Sequence, residues 1–384
     1  MDTAEPTSKP TAQREALVSL VLSVIAVAAF AAVLGLTTRF HSWQASLAET
    51  MRGRGERDLQ TGRAGRAIED FRSALAFDRD NSVYQFRLAQ ALEAEGRFDE
   101  AESYLINLWE RQPQNGMVNV QLARLAVHRD AMSQTLRYYH NAIYGIWDSQ
   151  PDENRRAARL ELVEFLLQRN ARAQVQSELI AMQAGLPPDP WLHLKVAELF
   201  RKIDDYENGF AQFRQVLQLD HGNVEAAAGA GEAAFELGRY RTAVRYLESA
   251  VAANRKDEVS RNKLNTANLV LASNPFRPNV SMEERKRRVQ NAFRAASAHL
   301  NDCIEARGES TGHGAAENSI EKLHNRQTDL GPKLRGRTFN DPDFQESVMD
   351  FVFEVEEQTA DCGSPTGLDQ ALVLIGRNRE GAER

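Results

Sequence analysis

The chain has 384 residues, of which 42% are hydrophobic and 26% charged, enough apolar material for sizeable cores and therefore not the composition of a disordered polymer. Its formal net charge of −7 excludes a general electrostatic attraction to nucleic acid. With only two cysteines, Cys303 and Cys362, the chain alone builds neither a four-cysteine zinc site nor a disulfide-dense scaffold.

A polar tail at 1–15 precedes the stretch 16–38, ALVSLVLSVIAVAAFAAVLGLTT, which contains no ionisable side chain. At a rise of about 1.5 Å per residue, roughly 20 such residues cross a ~30 Å hydrocarbon core. The run is longer than the roughly 7–15 apolar residues of a secretion signal, so an uncleaved transmembrane helix is expected. A cleaved signal ending near Ala29-Phe30-Ala31 is the alternative. No comparable run follows, which predicts a single pass. Lys9 and Arg14 precede the span while Arg39 follows it closely, with Arg52, Arg54 and Arg57 further on, so the charge rule leaves orientation near a tie.

Three related stretches follow: GRAGRAIEDF from Gly62, GRFDEAESYL from Gly96 and GRYRTAVRYL from Gly238. The first two stand 34 residues apart, and Asn170, Asp204 and Gly238 share the same turn position in a second phase with that period. Six residues, Gln150 to Arg155, polar apart from Pro151, separate the phases and begin a new helix. Units of two helical patterns each are expected at 48–81, 82–115, 116–149, 156–189, 190–223 and 224–257. The eighth position of each unit reads Gly55, Ala89, Ala123, Val163, Ala197 and Gly231; the twentieth reads Ala67, Ala101, Thr135, Val175, Gly209 and Ala243. Small residues there let two helices approach closely, while Phe71, Leu105, Leu179, Phe213 and Leu247 fill the gap between neighbouring hairpins.

Period and pattern resemble the tetratricopeptide repeat (TPR) family. The resemblance covers slightly over half the chain and implies an all-α fold, a TPR-like α-solenoid of stacked helix-turn-helix repeats. The family's early tryptophan is replaced by Met51, Gln85, Asn119, Arg159, His193 and Ala227, and the units at 116–149 and 156–189 depart furthest, with Asp130 and Asn170 at the turn.

Family geometry further implies that the first helix of each hairpin lines a concave protein-binding groove. Its fifth position then presents Phe86, Val120, Leu160 and Leu194, its second Val83, Met117 and Trp191, and its twelfth Val127, Leu167 and Phe235. So apolar a stripe calls for cover, by a partner protein or by the chain's own C-terminal segment, unless the register is off by one and these residues belong to the core. A carboxylate clamp of the kind some relatives use is not expected, because the corresponding row reads Glu56, Gln90, Arg124, Glu164, Glu198 and Glu232, acidic in its second half and repulsive to an anionic tail.

Beyond the repeats, 258–272 reads as a capping helix, and Asn274-Pro275-Phe276-Arg277-Pro278 ends it. In the C-terminal helical region, 274–384, helical patterning resumes near Met282, weakens at 308–314, returns at 316–327, breaks at Gly331-Pro332 and resumes from Asp343. Val289, Ala296, Leu300 and Cys303 form one apolar stripe; Val348, Phe351, Val352, Val355 and Cys362 form another. Each cysteine ends its helix, which predicts a Cys303–Cys362 disulfide and an oxidising compartment, with two buried free thiols as the alternative. His299 stands one turn before Cys303, but two ligands do not make a structural zinc site, so no metal is expected.

The chain lacks a phosphate-binding glycine loop, a GxSxG elbow and an HExxH pair, so neither catalysis nor a cofactor is expected. These readings point to a single-pass, membrane-anchored scaffold or adaptor of the bacterial cell envelope, binding other proteins and no nucleic acid, with its repeats on the periplasmic side. Two rivals stand beside it: a structural, oligomeric subunit whose groove its own C-terminal region fills, and a cytoplasm-facing regulator of a membrane enzyme.

Overall fold

The computed structural model describes residues 9–308, 315–362 and 366–382, and the described residues contain helices and no strand. Helix α1, Lys9–Gln60, runs unbroken for 52 residues, about 78 Å at the α-helical rise. Its apolar part is exposed on every side, Leu17 at 64% and Leu36 at 72% for example. Ser23, Thr37 and Thr38 donate their hydroxyls to carbonyls three or four residues back, which meets these three donors within the helix itself. The helix meets the length and composition of a membrane span and equally those of a secretion signal.

Two compact units divide the chain, Met1–Ala171 and Arg172–Arg384. In the first, the end of α1 pairs with α2 (Ala64–Phe77), α3 (Ser82–Ala94) with α4 (Phe98–Arg111), and α5 (Gly116–His128) with α6 (Met132–Ile143); α7 (Pro151–Gln168) packs on α6. The expected close approaches are present: Ala67, Ala89, Ala101 and Ala123 are fully buried, and so are Phe71 and Leu105. At Gly55 a Cβ would stand 2.8 Å from the Phe71 ring, so the glycine is what lets α1 reach α2.

Each hairpin turn has one design. Gly96 has φ +78°; its amide donates to Glu93 O (2.9 Å) and the Arg97 amide to Leu92 O (2.8 Å), the paired bonds that close a helix on a left-handed residue. Asp130 (φ 56°) and Asn170 (φ 55°) make the same pair of bonds, so the two units that depart most in sequence keep the turn. Gly96→Ala is expected to lower stability by about 1 kcal/mol, because a Cβ disfavours this conformation; a reduced urea midpoint at unchanged slope is the readout.

The second unit begins with α8 (Arg172–Gln183). It continues with hairpins of α9 (Pro190–Lys202) with α10 (Tyr206–Leu219) and α11 (Val224–Glu236) with α12 (Tyr240–Ala253), then α13 (Glu258–Ser273). Gly231 meets Leu247 as Gly55 meets Phe71, a Cβ there lying 2.6 Å from the leucine side chain. The C-terminal region adds α14 (Met282–Gly308), α15 (Ala315–Lys333), a 3-10 turn at Arg337–Asn340, α16 (Pro342–Gln358) and α17 (Gly367–Ala382). Its core, with Val289, Leu300, Phe351 and Leu372, is continuous with Tyr240, Ala267 and Val270 of α12 and α13.

One expectation for this region is corrected. Helix α15 does not break at Gly331-Pro332 but carries Pro332 in its last turn. The residue before it is glycine, which has no Cβ to clash with the proline ring, and the helix ends one residue later. Helix α17, which the apolar stripes did not reveal, packs on α13 and α16. The expected weakening at 308–314 falls largely outside the described residues.

Candidate functional site

In the first unit, Phe86 and Val120 line a hollow of about 130 Å³ together with Met117, Arg124, Trp147 and Glu161. Both are buried, at 6% and 7% exposure, so they are its walls and not an open stripe. Met117 (43% exposed) stands at the rim, Val83 (52%) is exposed and Leu160 is half-buried.

Trp147 was not foreseen. The loop after α6 turns back on the start of α5: the Gly116 amide donates to Ile146 O (2.8 Å) and the Ile146 amide to Gln114 O (2.7 Å). The indole donates to Ala142 O (2.9 Å) and lies against Gly116, where a Cβ would be 2.2 Å from it. The only local hint in the sequence is a glycine opening this helix, with a tryptophan in the connection.

The polar side of the hollow is internally paired. Arg124 donates twice to Glu161 (3.0 and 2.6 Å), and the Tyr139 hydroxyl donates to the same carboxylate at 3.1 Å. Burial first, and the Glu161 charge second, push the Tyr139 phenol well above its usual range. Glu93, which accepts from Gln121, is likewise pushed up by burial.

A carboxyl whose folded pKa lies above its unfolded value of about 4.3 is neutral in both states at low pH and destabilises the fold once ionised. Glu93→Gln is therefore expected to raise the melting temperature at pH 7, by an amount that shrinks as the pH falls toward 4. Paired melts across that range check the sign.

Where the family places tryptophan, amide side chains hold the preceding connection. Gln85 Nε2 donates to Arg79 O and Asn119 Nδ2 to Pro113 O, each at 2.8 Å. In the second unit His193 Nδ1 pairs with Gln212 Oε1 at 2.7 Å.

Also in the second unit, Leu194 is half-buried against the core around Ala197 and Ala230, while Trp191 is 64% exposed with Lys195 Nζ 5.7 Å from its ring. A hollow of about 210 Å³ is lined by Glu198, Arg201, Glu232, Val259 and Lys263 among others. The expected repulsive acidic row is corrected here. Glu198 accepts from Arg201 (2.5 Å), and Glu232 lies 3.5 Å from Arg201 and 3.0 Å from Lys263, so the row is a mixed-charge net. Lys263 sits on the capping helix, beyond the window that the repeat register compared.

Cys303 and Cys362 are joined, with Cα atoms 5.2 Å apart; Cys303 lies within α14, ahead of its end at Gly308, and Cys362 follows α16 in the turn beyond Gln358, so neither cysteine is the last residue of its helix. The disulfide belongs to the C-terminal core and borders neither hollow.

Residues 58–125 and 204–263 match the family model described as tetratricopeptide repeat. Among solved structures the chain is similar to Pseudomonas aeruginosa pilF, at 16% identity over 57% of this chain and 96% of that one, with a TM-score of 0.39. It is similar to PilW, described as a widely conserved type IV pilus biogenesis factor, at 14% identity over 57% and 97%, TM-score 0.38. The C-terminal part of a TPR repeat-containing protein from Cytophaga hutchinsonii gives 11% identity over 62% and 92%, TM-score 0.42. No curated protein matches the chain.

Proposed function

We propose that this chain, a tetratricopeptide-repeat protein, is a protein-binding scaffold held at a membrane by α1, with the hollow around Trp147 as a docking point for an apolar side chain of its partner. The observation that carries the reading is the continuity of α1. The apolar stretch and the first repeat helix are one helix, and Ala48 (1% exposed) lies in the core with Ala74 and Tyr84. No flexible linker separates span from repeats, so a captured partner is held at a fixed distance from the bilayer. Arg39, Phe40 and Trp43 follow the span, with the two aromatics 54% and 58% exposed, the composition of an interfacial belt.

The bonded cysteines favour an oxidising compartment for the repeats, and so the periplasmic side. Protease added to spheroplasts should then digest the repeats; protection of the repeats in intact spheroplasts would reverse the orientation.

Because Phe86 and Val120 are walls, aspartate there would bury a charge and unfold the repeat, so milder variants test the site. A photo-crosslinking residue at Met117 should capture a discrete partner in cells, and Trp147→Ala should abolish that capture. A crosslinker at the exposed Ser103, on the second helix of its hairpin, is the control. Equal capture from both positions would refute the assignment.

A second reading, self-covering of the groove, is favoured at one place. Phe235, a predicted groove residue, is packed against the C-terminal core and borders a cavity with Leu374 and Arg377 of α17. Deleting 274–384 does not isolate this effect, because it strips Ala267 and Val270 of their cover. Leu374→Asp leaves most of that core in place; increased crosslinking at Phe235 would support self-covering there.

A further inference from the structure

The cavity beside Phe235 has a volume of about 440 Å³, and its floor is ionisable. His299 of α14, Glu356 of α16 and Asp369 of α17 each bring one ligand atom to within 4.8 Å of the others. Glu356 is 2% and Asp369 6% exposed. The sequence reading paired His299 with Cys303; in the structure Cys303 is committed to the disulfide, and two carboxylates from distant helices meet the ring instead.

The hydrogen bonds around His299 fix its tautomer. Nε2 lies 3.0 Å from the Cys362 carbonyl oxygen, which only accepts, so Nε2 carries a proton. Nδ1 then faces Glu356 Oε2 at 3.1 Å and Thr359 Oγ1 at 3.3 Å. The Thr359 hydroxyl already donates to Val355 O at 2.7 Å and offers Nδ1 only a lone pair. A neutral ring would thus aim its lone pair at two acceptors, so Nδ1 calls for a positive partner, either a proton, which makes an ion pair with Glu356, or a metal ion. The other Glu356 oxygen, Oε1, is buried without a hydrogen-bond partner, while Asp369 Oδ2 is steadied by the Thr366 amide at 2.7 Å. An imidazole nitrogen and two carboxylates thus meet within 4.8 Å, and the unmet Glu356 Oε1 leaves the buried carboxylate short of a positive partner.

We propose that His299 Nδ1, Glu356 and Asp369 bind a divalent first-row transition metal ion, with water from the cavity completing its coordination. One imidazole and two carboxylates form a borderline donor set suited to zinc or cobalt. The carbonyl on the second ring nitrogen is the outer-shell partner that fixes the tautomer of a ligating histidine. Metal bonds of about 2.0–2.2 Å require the three donors to draw closer than they now stand, a movement within reach of carboxylate rotation. The ion would tie α14, α16 and α17 together beside the disulfide.

The test uses the full chain in detergent, stripped with chelator and titrated with zinc chloride by calorimetry and with cobalt chloride by visible absorption. One ion per chain is expected, with micromolar or tighter affinity. Glu356→Gln and Asp369→Asn, which preserve volume, should each weaken binding more than about 100-fold, while the stripped variants keep the wild-type circular dichroism. No binding at about 100 μM of either ion, or unchanged affinity in both variants, overturns the site. X-ray absorption of the zinc-loaded wild type does not depend on the variants folding: one imidazole with oxygen donors supports the assignment, and a spectrum without imidazole overturns it.

Discussion

Phe71→Ala is expected to destabilise the first hairpin by about 3–5 kcal/mol, the range for removing a fully buried aromatic ring. Phe71 is 0% exposed, and its ring lies against the backbone of Gly55. Gly55 has no side chain that could relax into the space from the α1 side, which places the cost toward the upper end of the range. The consequence reaches function, because this contact docks the end of α1 onto α2. Chemical denaturation of the full chain in detergent measures the loss.

A partner experiment fixes the cause. Gly55→Ala alone should destabilise by about 1–3 kcal/mol through overpacking, whereas Gly55→Ala in the Phe71→Ala background should cost much less, since the space is then vacant. Additive effects would show that the two residues do not share a contact, and the fixed attachment of repeats to span would lose its support.

The parts of this fold legible in the sequence are those that backbone geometry demands again in every hairpin. Ala89, Ala101 and Leu105 recur because two helices cannot approach otherwise, and each is fully buried. The shared turn position is legible for the same reason: Asp130, Asn170 and Asp204 adopt the left-handed conformation of Gly96, which Asn and Asp tolerate better than other side chains. A second signal of the same period was available. Asn81, Asn115, Asn223 and Asp257 each cap the helix that follows by accepting backbone amides, which a search for capping residues at the repeat spacing would have found.

What stayed hidden depends on where the chain returns. Trp147 reaches the hollow because its loop doubles back on Gly116, Glu232 is neutralised from the capping helix, and His299 meets Glu356 across 57 residues of sequence. No periodicity encodes such meetings. Exposure was hidden for a related reason: a position on the groove face says which way Phe86 points, not how closely the next hairpin and its loop approach.

Removing the Cys303–Cys362 bond is expected to destabilise the C-terminal core by about 2–4 kcal/mol. The bond spans 59 residues of sequence, a long loop whose closure strongly restricts the unfolded chain. Cys303→Ala with Cys362→Ala is the suitable pair, since a serine hydroxyl at the fully buried position 303 would add its own desolvation cost. Wild type treated with reductant should match the double variant. The loss should not stop at α14 and α16. Tyr240, Ala267 and Val270 belong to the same core, so hydrogen exchange should quicken in α12 and α13 and stay unchanged in α3 and α4 of the other unit. The Cys362 carbonyl also holds His299 Nε2, so the reduced protein should lose the ring's orientation together with the bond. If double variant and wild type melt alike and exchange alike, the bridge contributes nothing to this core, and its argument for placing the repeats in an oxidising compartment falls with it.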